Sequence, residues 1–408
     1  MTELPLDGIR VLDLSRLLPG AFCTQMLADF GADVVKVEDP RAGDYARWIE
    51  PRFDGAEPSG GSAFFASLNR NKRSVRLDLK HPDGRDCLLE LVDGADVVLE
   101  SFRPGVLDRL GLGHEQLLAR NPRLIVCAIS GYGQDGPYRE RSGHDINYLA
   151  ATGVLDLCGE DDHPSLPGVQ VADIGGGALM AAFGILAALR HRDQSGHGQV
   201  VDVSMAHGAL AWLGPLAAEL AAGRPPRRGE LALGGGALCY RVYRCRDGWV
   251  ALGALEPKFF AAFCQAVARE DLIPYRLDPP GSPAHRALEA IFAARGRDEW
   301  AVVAAEHDCC LEIVRTLEEA LATDLVSRRG MLAEVALPGR AATATVLGTP
   351  LQLSRTPADH NHFPVPALGE HTDEILAAAG LSAARIAALH QSGAAAGRSV
   401  DAGEVFLD

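Results

Sequence analysis

Three side chains able to move protons stand out by type and by company. The stretch "RSGHDINYLAATGVL", from Arg141, sets His144 beside Asp145, between Gly143 and a run of small and apolar residues. Further on, "GVQVADIGGGALMAAFGILAALRHR" puts Asp173 ahead of three glycines and a long helical segment. A carboxylate there lies at or near a helix amino terminus, where unpaired N–H groups favour negative charge. It either caps the helix or serves a ligand. Glycines weaken a first turn by roughly 0.5–1 kcal/mol each relative to alanine, and close approach of a ligand to bare backbone is the usual compensation. His144 either satisfies a local hydrogen bond or carries protons. Should both segments leave the carboxyl ends of parallel strands, they would share the crevice where open α/β sheets bind ligands. Glu256, in "ALGALEPKFF", follows an apolar strand and precedes a proline at the first helical turn; by itself it reads as a helix-start carboxylate.

Basic residues gather in "LNRNKRSVRLDLK" and "SFRPG". Arg70, Lys72, Arg73 and Arg103 are either a local phosphate patch or solvated loop charges. No G-x-G-x-x-G follows the first strand segment, and no Walker sequence or G-x-S-x-G elbow is present, which argues against dinucleotide, nucleoside triphosphate and serine-hydrolase chemistry.

The segments that must position these groups alternate in texture. "IRVLDLS", "ADVVKVE", "SVRLDL", "DVVLES" and "RLIVCAIS" are short β-branched runs, and helical stretches such as "AFCTQMLADFG" and "GRDCLLELVDGA" separate them, which predicts an open, Rossmann-like parallel sheet. From about Gly223 the pattern changes. "GRPPRRGE" is breaker-rich, and "LCYRVYRCRDGWVALGAL" alternates like a hairpin turning at Asp247-Gly248. The expected division is a large α/β domain over 1–200, a linker helix and linker over 201–228, a small α+β domain over 229–335, a return to the large domain over 336–392, and a poorly ordered tail over 393–408.

With 408 residues, nearly half of them apolar, the chain can bury substantial cores. Its formal charge of −15 argues against a nucleic-acid surface. The amino terminus lacks a basic-then-apolar signal pattern, and the run "GALAWLGPLAAELAAG" is broken by Pro215 and Glu219, so no membrane partner and a cytoplasmic location are expected. Nine cysteines without C-x-x-C spacing read as reduced thiols, with no metal site.

Taken jointly, "LDGIRVLDLSRLLPG", "LADFGADVVKVEDP", "LNRNKRSVRLDLK", "ADVVLESFRPGVLDRLGL", "NPRLIVCAISGYGQDGPY", "GHGQVVDVSM" and "ALGEHTDEIL" resemble the class III coenzyme A-transferase (CaiB/BaiF) family over nearly the whole chain. The resemblance implies an interlocked homodimer and a coenzyme A thioester as substrate, with no separate cofactor. "GHDINYLAATGVL" is most similar to the α-methylacyl-CoA racemase branch, which implies that His144 and Asp173 are the two acid/base residues. Glu256, from a "GA-x-EP-x-F" motif, would orient the histidine, from the partner subunit. For coenzyme A the resemblance points to Asn71, Lys72, Arg73 and Arg103 near the nucleotide, and to Gly143, Asp145 and Tyr148 along the thioester arm. Asp39 departs from the pattern, since many relatives carry arginine there; Arg41 is the nearest substitute.

Racemisation explains the constellation chemically. Removing a weakly acidic thioester α-proton needs a base on one face, an acid on the other and stabilisation of the enolate oxygen, for which the N–H groups of Gly175 and Gly176 are the candidates. Two rival readings remain open at this point. In a transferase, Asp173 attacks the acyl-CoA to give a mixed anhydride; in a binding or scaffolding member, the fold is kept without turnover.

Overall fold

The computed structural model describes residues 4–160 and 162–400. Its main sheet has seven strands: β1 (Arg10–Asp13), β2 (Asp33–Glu38), β3 (Lys72–Leu77), β4 (Val97–Glu100), β5 (Ile125–Ser130), β6 (Gln199–Ser204) and β7 (Ala395–Ala396). They lie in the order β7-β3-β2-β1-β4-β5-β6, all parallel except β7, which runs antiparallel to β3. Runs such as "VVLE" and "IVCAIS" are buried along their whole length, as expected of parallel strands covered on both faces.

Strand β1 pairs with both β2 and β4. The chain therefore winds outward from β1 to β3 and then restarts on the other side. Loops leaving β1 and β4 diverge at this switch point and open a crevice at the carboxyl ends of the strands. Leu12, Val35, Val75, Val98 and Val126 form the core of one face, with Leu88 and Leu91 of the Pro82–Asp93 helix. Each such side chain contributes roughly 1.5–3 kcal/mol of burial.

Four helices position the crevice: α1 (Pro19–Asp29), α2 (Asp145–Ala151), α3 (Leu179–Ser195) and α4 (Met205–Ala211). Proline occupies the first turn of α1, where its missing N–H has no intrahelical partner to lose. A π-helical turn over Val171–Ala178 leads into α3, which stops at Gly196 with φ 78°. The continuous helix Val171–Ser195 is long and apolar enough to cross a membrane by composition, but half of its most apolar window is buried within the chain.

Around this frame the chain forms two units. The first takes in the chain up to Thr152, Val169–Ala211, and the chain from Ser327. The second comprises Gly153–Gly168 and Trp212–Val326. It holds an antiparallel three-stranded sheet of Tyr240–Cys245, Gly248–Gly253 and Leu311–Ile313. Its core is aromatic: Phe292 stacks on Tyr243 at 4.4 Å and on Phe263 at 5.3 Å, beside Trp300.

The expected boundaries move for physical reasons. Residues 201–204 of the expected linker belong to β6, paired with β5 from Ile125 to Ser130. The return to the first unit comes at Ser327 rather than 336, because Leu332–Val335 pairs with Ala344–Leu347 and packs on Ala46 and Phe65. The hairpin turn falls one residue earlier than expected, at Arg246-Asp247, since Cys245 pairs with Gly248. The tail expectation fails for residues 393–400: β7 closes the edge of the sheet, Ser399 bridges to Leu368, and Arg398 pairs with Glu57 at 2.7 Å. Residues 401–408 lie outside the described residues.

Candidate active site

A cavity of about 670 Å³ opens at the switch point, and every residue lining it belongs to the first unit. The loop after β1 contributes Arg16 to Pro19, the loop after β4 contributes Ser101 to Pro104, and the end of β5 contributes Ile129 to Gly131. His144 and Asp173 both line it. The sequence placed these two residues 29 positions apart, and the fold brings them to one chamber.

His144 is the residue before α2, and its main-chain N–H donates to Asn147 Oδ1 at 3.0 Å. The helix begins there because Asn147 satisfies an amide the first turn leaves free. Gly143 precedes it and accepts the Tyr148 hydroxyl proton at 2.6 Å. A Cβ at Gly143 would come within 2.7 Å of Tyr148 Cε1, so only glycine lets the loop lie against the buried ring. Burial, followed by the nearby charge of Asp173, pushes the Tyr148 hydroxyl up to about 12, which keeps it a proton donor at neutral pH.

Asp145, expected along the thioester arm, is absent from the cavity lining and binds the opposite segment instead. Its Oδ1 accepts the N–H groups of Ala172 at 2.7 Å and Asp173 at 2.9 Å, the free donors of the π-helical turn. The Asp173 carboxyl is pushed up to about 6, first by burial and then by the Asp145 charge, with His144 opposing. Such a group exchanges protons near neutral pH. Among the described residues, neither the imidazole of His144 nor the carboxylate of Asp173 has a hydrogen-bond partner, so both remain available to a ligand.

Charge completes the chamber. Asp173 is the one carboxylate lining it among the described residues, against the guanidiniums of Arg16, Arg103, Arg139 and Arg141. This is the local basic patch that an acidic protein needs for a phosphate-bearing ligand. Arg103, expected near the nucleotide, lines the cavity. Arg16, over the Tyr45 ring at 5.0 Å, and Arg141, over the Tyr138 ring at 3.8 Å, were missed. Isolated arginines in loops give no composition signal, although "YRER" just ahead of Gly143 was the available hint.

Other expected ligand groups stand elsewhere. Asn71 is buried, with its amide on Asp29 Oδ1 at 3.0 Å and on the Asp359 carbonyl at 2.7 Å. Lys72 is fully buried, donating to Thr24 Oγ1 at 2.7 Å, Asn69 Oδ1 at 2.9 Å and Asp13 Oδ2 at 3.3 Å. Arg73 pairs with Asp33 at 2.6 Å and Glu374 at 3.0 Å. None of the three lines the cavity, against the expectation for this loop; Lys72 is a buried, fully partnered charge that cannot reach a phosphate without breaking its pairs, and Arg73, partly exposed, is held by its two carboxylates. Arg41 turns to its neighbour Asp39 at 3.5 Å and is absent from the cavity as well.

Gly175 and Gly176 are buried and do not line the cavity. The side-chain position of Gly176 points at α4, where a Cβ would meet the Met205 carbonyl oxygen at 2.5 Å and the Ala209 nitrogen at 2.8 Å. Gly208 on α4 faces it in the same way. Close packing of two backbones, rather than approach of a ligand, accounts for glycine at 176. Glu256 lies in the second unit, exposed, immediately before the Pro257–Ala266 helix, and its side chain makes no cap bond there.

A family model described as CoA-transferase family III matches residues 6–372. The chain belongs to that family. Family III members that resemble it differ in their reactions. It is 38% identical to a human protein named alpha-methylacyl-CoA racemase, over 92% of this chain and 94% of that protein. It is also 33% identical to the mouse succinyl-CoA:glutarate CoA-transferase, over 91% of this chain and 86% of that protein. A solved CaiB/BaiF family protein from Brucella suis superposes with a TM-score of 0.80 at 32% identity, covering 92% of this chain and all of that one. The family III protein described here is accordingly an enzyme, either a racemase or a transferase, with an acyl-CoA substrate.

Proposed function

We propose that the protein is an acyl-CoA racemase or epimerase that inverts the α-carbon of a 2-methyl-branched acyl-CoA by two-base proton transfer. The observation that carries this reading is the pairing, in one cavity, of an unpartnered imidazole and an unpartnered carboxylate raised to about 6. One residue takes the α-proton from one face of the thioester, and the bonding pair moves onto the thioester oxygen as an enolate. The other residue delivers a proton to the opposite face, and the roles exchange with substrate configuration. Each transfer contributes roughly 10²–10⁴-fold. The excess of guanidinium charge favours both the enolate and the phosphates of coenzyme A, with Arg103 a phosphate contact and Gly143 and Tyr148 along the thioester arm.

In this reading Glu256 orients His144 of a partner subunit in a homodimer. Support for a second copy comes from α3, which leaves Leu179, Phe183 and Leu186 exposed at helical spacing, Phe183 by 72%. An apolar stripe of that kind marks an association surface.

Incubation of one enantiomer of a 2-methylacyl-CoA in deuterated water tests the proposal. Deuterium enters the α-carbon without any added acid if the reading holds. Transfer of CoA to an added carboxylate with no exchange favours the second reading, in which Asp173 is the nucleophile. The similarity to the mouse transferase and the standing of Asp173 as the one carboxylate of the cavity among the described residues both support keeping that alternative.

A further inference from the structure

Leu17 adopts φ 60°, the left-handed region that favours glycine and that leucine rarely enters. It lies in the loop between β1 and α1, and with Arg16, Leu18 and Pro19 it forms one wall of the cavity. Nothing in a leucine selects that conformation, so an outside restraint must hold it.

The restraint is Asp44, in the loop after β2. Its Oδ1 accepts the Leu17 N–H at 3.1 Å, and Oδ2 lies 3.3 Å from the same nitrogen. The carboxylate is buried, with Lys36 Nζ on Oδ2 at 2.8 Å and the Ala46 N–H on Oδ1 at 2.9 Å. Lys36 also donates to the Ser15 carbonyl at 3.0 Å. Both ends of Ser15–Leu17 are thus tied to one buried ion pair. Arg16, between them, is steered towards Tyr45, whose hydroxyl its Nη1 reaches at 3.0 Å.

We infer that Asp44 is a positioning residue for thioester binding: with Lys36 it clamps Leu17 in the left-handed conformation and so sets the Arg16–Pro19 wall of the cavity. Asp44 does not line the cavity and acts through the main chain of Leu17. The inference rests on the reading that this cavity receives an acyl-CoA.

The full chain and isobutyryl-CoA make the test, with affinity measured by titration calorimetry. The α-carbon of that thioester carries two identical methyl groups, so proton exchange leaves the probe unchanged. An asparagine keeps one acceptor oxygen for three donors. Asp44→Asn therefore either turns an amide N–H against the Lys36 ammonium or gives up the Leu17 and Ala46 N–H groups, and the ion pair that fixes both ends of the loop is lost in both cases. Binding is expected to weaken roughly tenfold, the scale set by a non-glycine residue losing the support for a left-handed conformation. Glycine takes that φ freely. Adding Leu17→Gly to Asp44→Asn is therefore expected to bring affinity to within about threefold of Leu17→Gly alone. Simple loss of a buried ion pair would not be rescued in this way. Leu17→Val leaves the ion pair whole but sets a β-branched residue where φ is positive, and should weaken binding to a similar degree; it answers the question if Asp44→Asn does not fold. Unchanged affinity in either single variant, or no rescue by glycine, overturns the clamp. If the unsubstituted protein fails to bind isobutyryl-CoA, the acyl-CoA reading falls first and the clamp falls with it.

Discussion

Asp145 Oδ1 holds the main-chain N–H of Asp173 at 2.9 Å, so the residue after His144 fixes the backbone of the carboxylate that shares its cavity. Two segments apart in sequence are thereby joined at the cavity. The same negative charge raises the Asp173 pKa, second to burial. Asp145→Ala should therefore do two things: lower kcat/KM for α-proton exchange by roughly 10- to 100-fold through lost alignment, and move the acid limb of the pH profile to lower pH. A rate loss with an unmoved acid limb would separate alignment from electrostatics and count against the second role.

The raised pKa of Asp173 bears on stability as well as on the proposed proton transfer. Its folded-state pKa of about 6 lies above the ordinary 3.8, so the folded protein binds more protons than the unfolded chain between those values. Stability from this group is full below the ordinary value and is lost as pH rises through about 6. Asp173→Asn should lower exchange by roughly 10²–10⁴-fold. It should also raise unfolding free energy at pH 7.5 by on the order of 1–2 kcal/mol, discounted for solvent screening. Urea titrations at pH 7.5 and pH 4 check the sign, because most of the gain must be lost at the lower pH.

Gly143 and Tyr148 set the approach of the histidine loop. Tyr148→Phe removes a hydroxyl from the half-buried Gly143 carbonyl and should cost about 1 kcal/mol of stability. Gly143→Ala forces a Cβ against the ring, 2.7 Å from Cε1, and should displace His144 with a loss in kcat larger than that of Tyr148→Phe. Comparing kcat and melting temperature for the two variants makes the check.

Lys72 and Arg103 are both basic, and their substitutions should fail in opposite ways. Lys72 is fully buried in the Asp13 network, and burial, opposed by Asp13, pushes its pKa down to about 8. Lys72→Met strands Asp13 and should destabilise the fold by about 3–5 kcal/mol. Arg103→Ala, at the cavity wall, should leave the melting temperature unchanged and weaken coenzyme A binding roughly 10-fold, with a reduced salt dependence. Weaker CoA binding by a folded Lys72→Met protein would restore the basic-loop reading.

The contrast between these two residues marks how far the sequence can be read. Periodicity identified β1 to β5 because buried parallel strands are continuous apolar runs, and residue chemistry singled out His144 and Asp173. What pairs with a charge is another matter. Lys72 looked solvent-facing because its partners Asp13 and Thr24 are 59 and 48 residues away and meet it only across β1 and α1. Gly176 looked ligand-facing because its packing partner, Gly208, lies on another helix. Arg16 joined the site through a topological switch that no local window contains. β7 escaped notice because two residues, Ala395 and Ala396, join the sheet by backbone alone.

That short strand has a consequence for handling the molecule. By pairing with Leu77 and Arg76 it occupies the outer flank of β3, whose donors and acceptors would otherwise stand open to any extended peptide. A truncation placed before residue 395 would bare that flank, and sticky, sheet-to-sheet self-association should follow even though β3 and β2 separate this edge from the switch point beside β1. Fusion partners are better joined beyond Ser399, where the closing segment is kept.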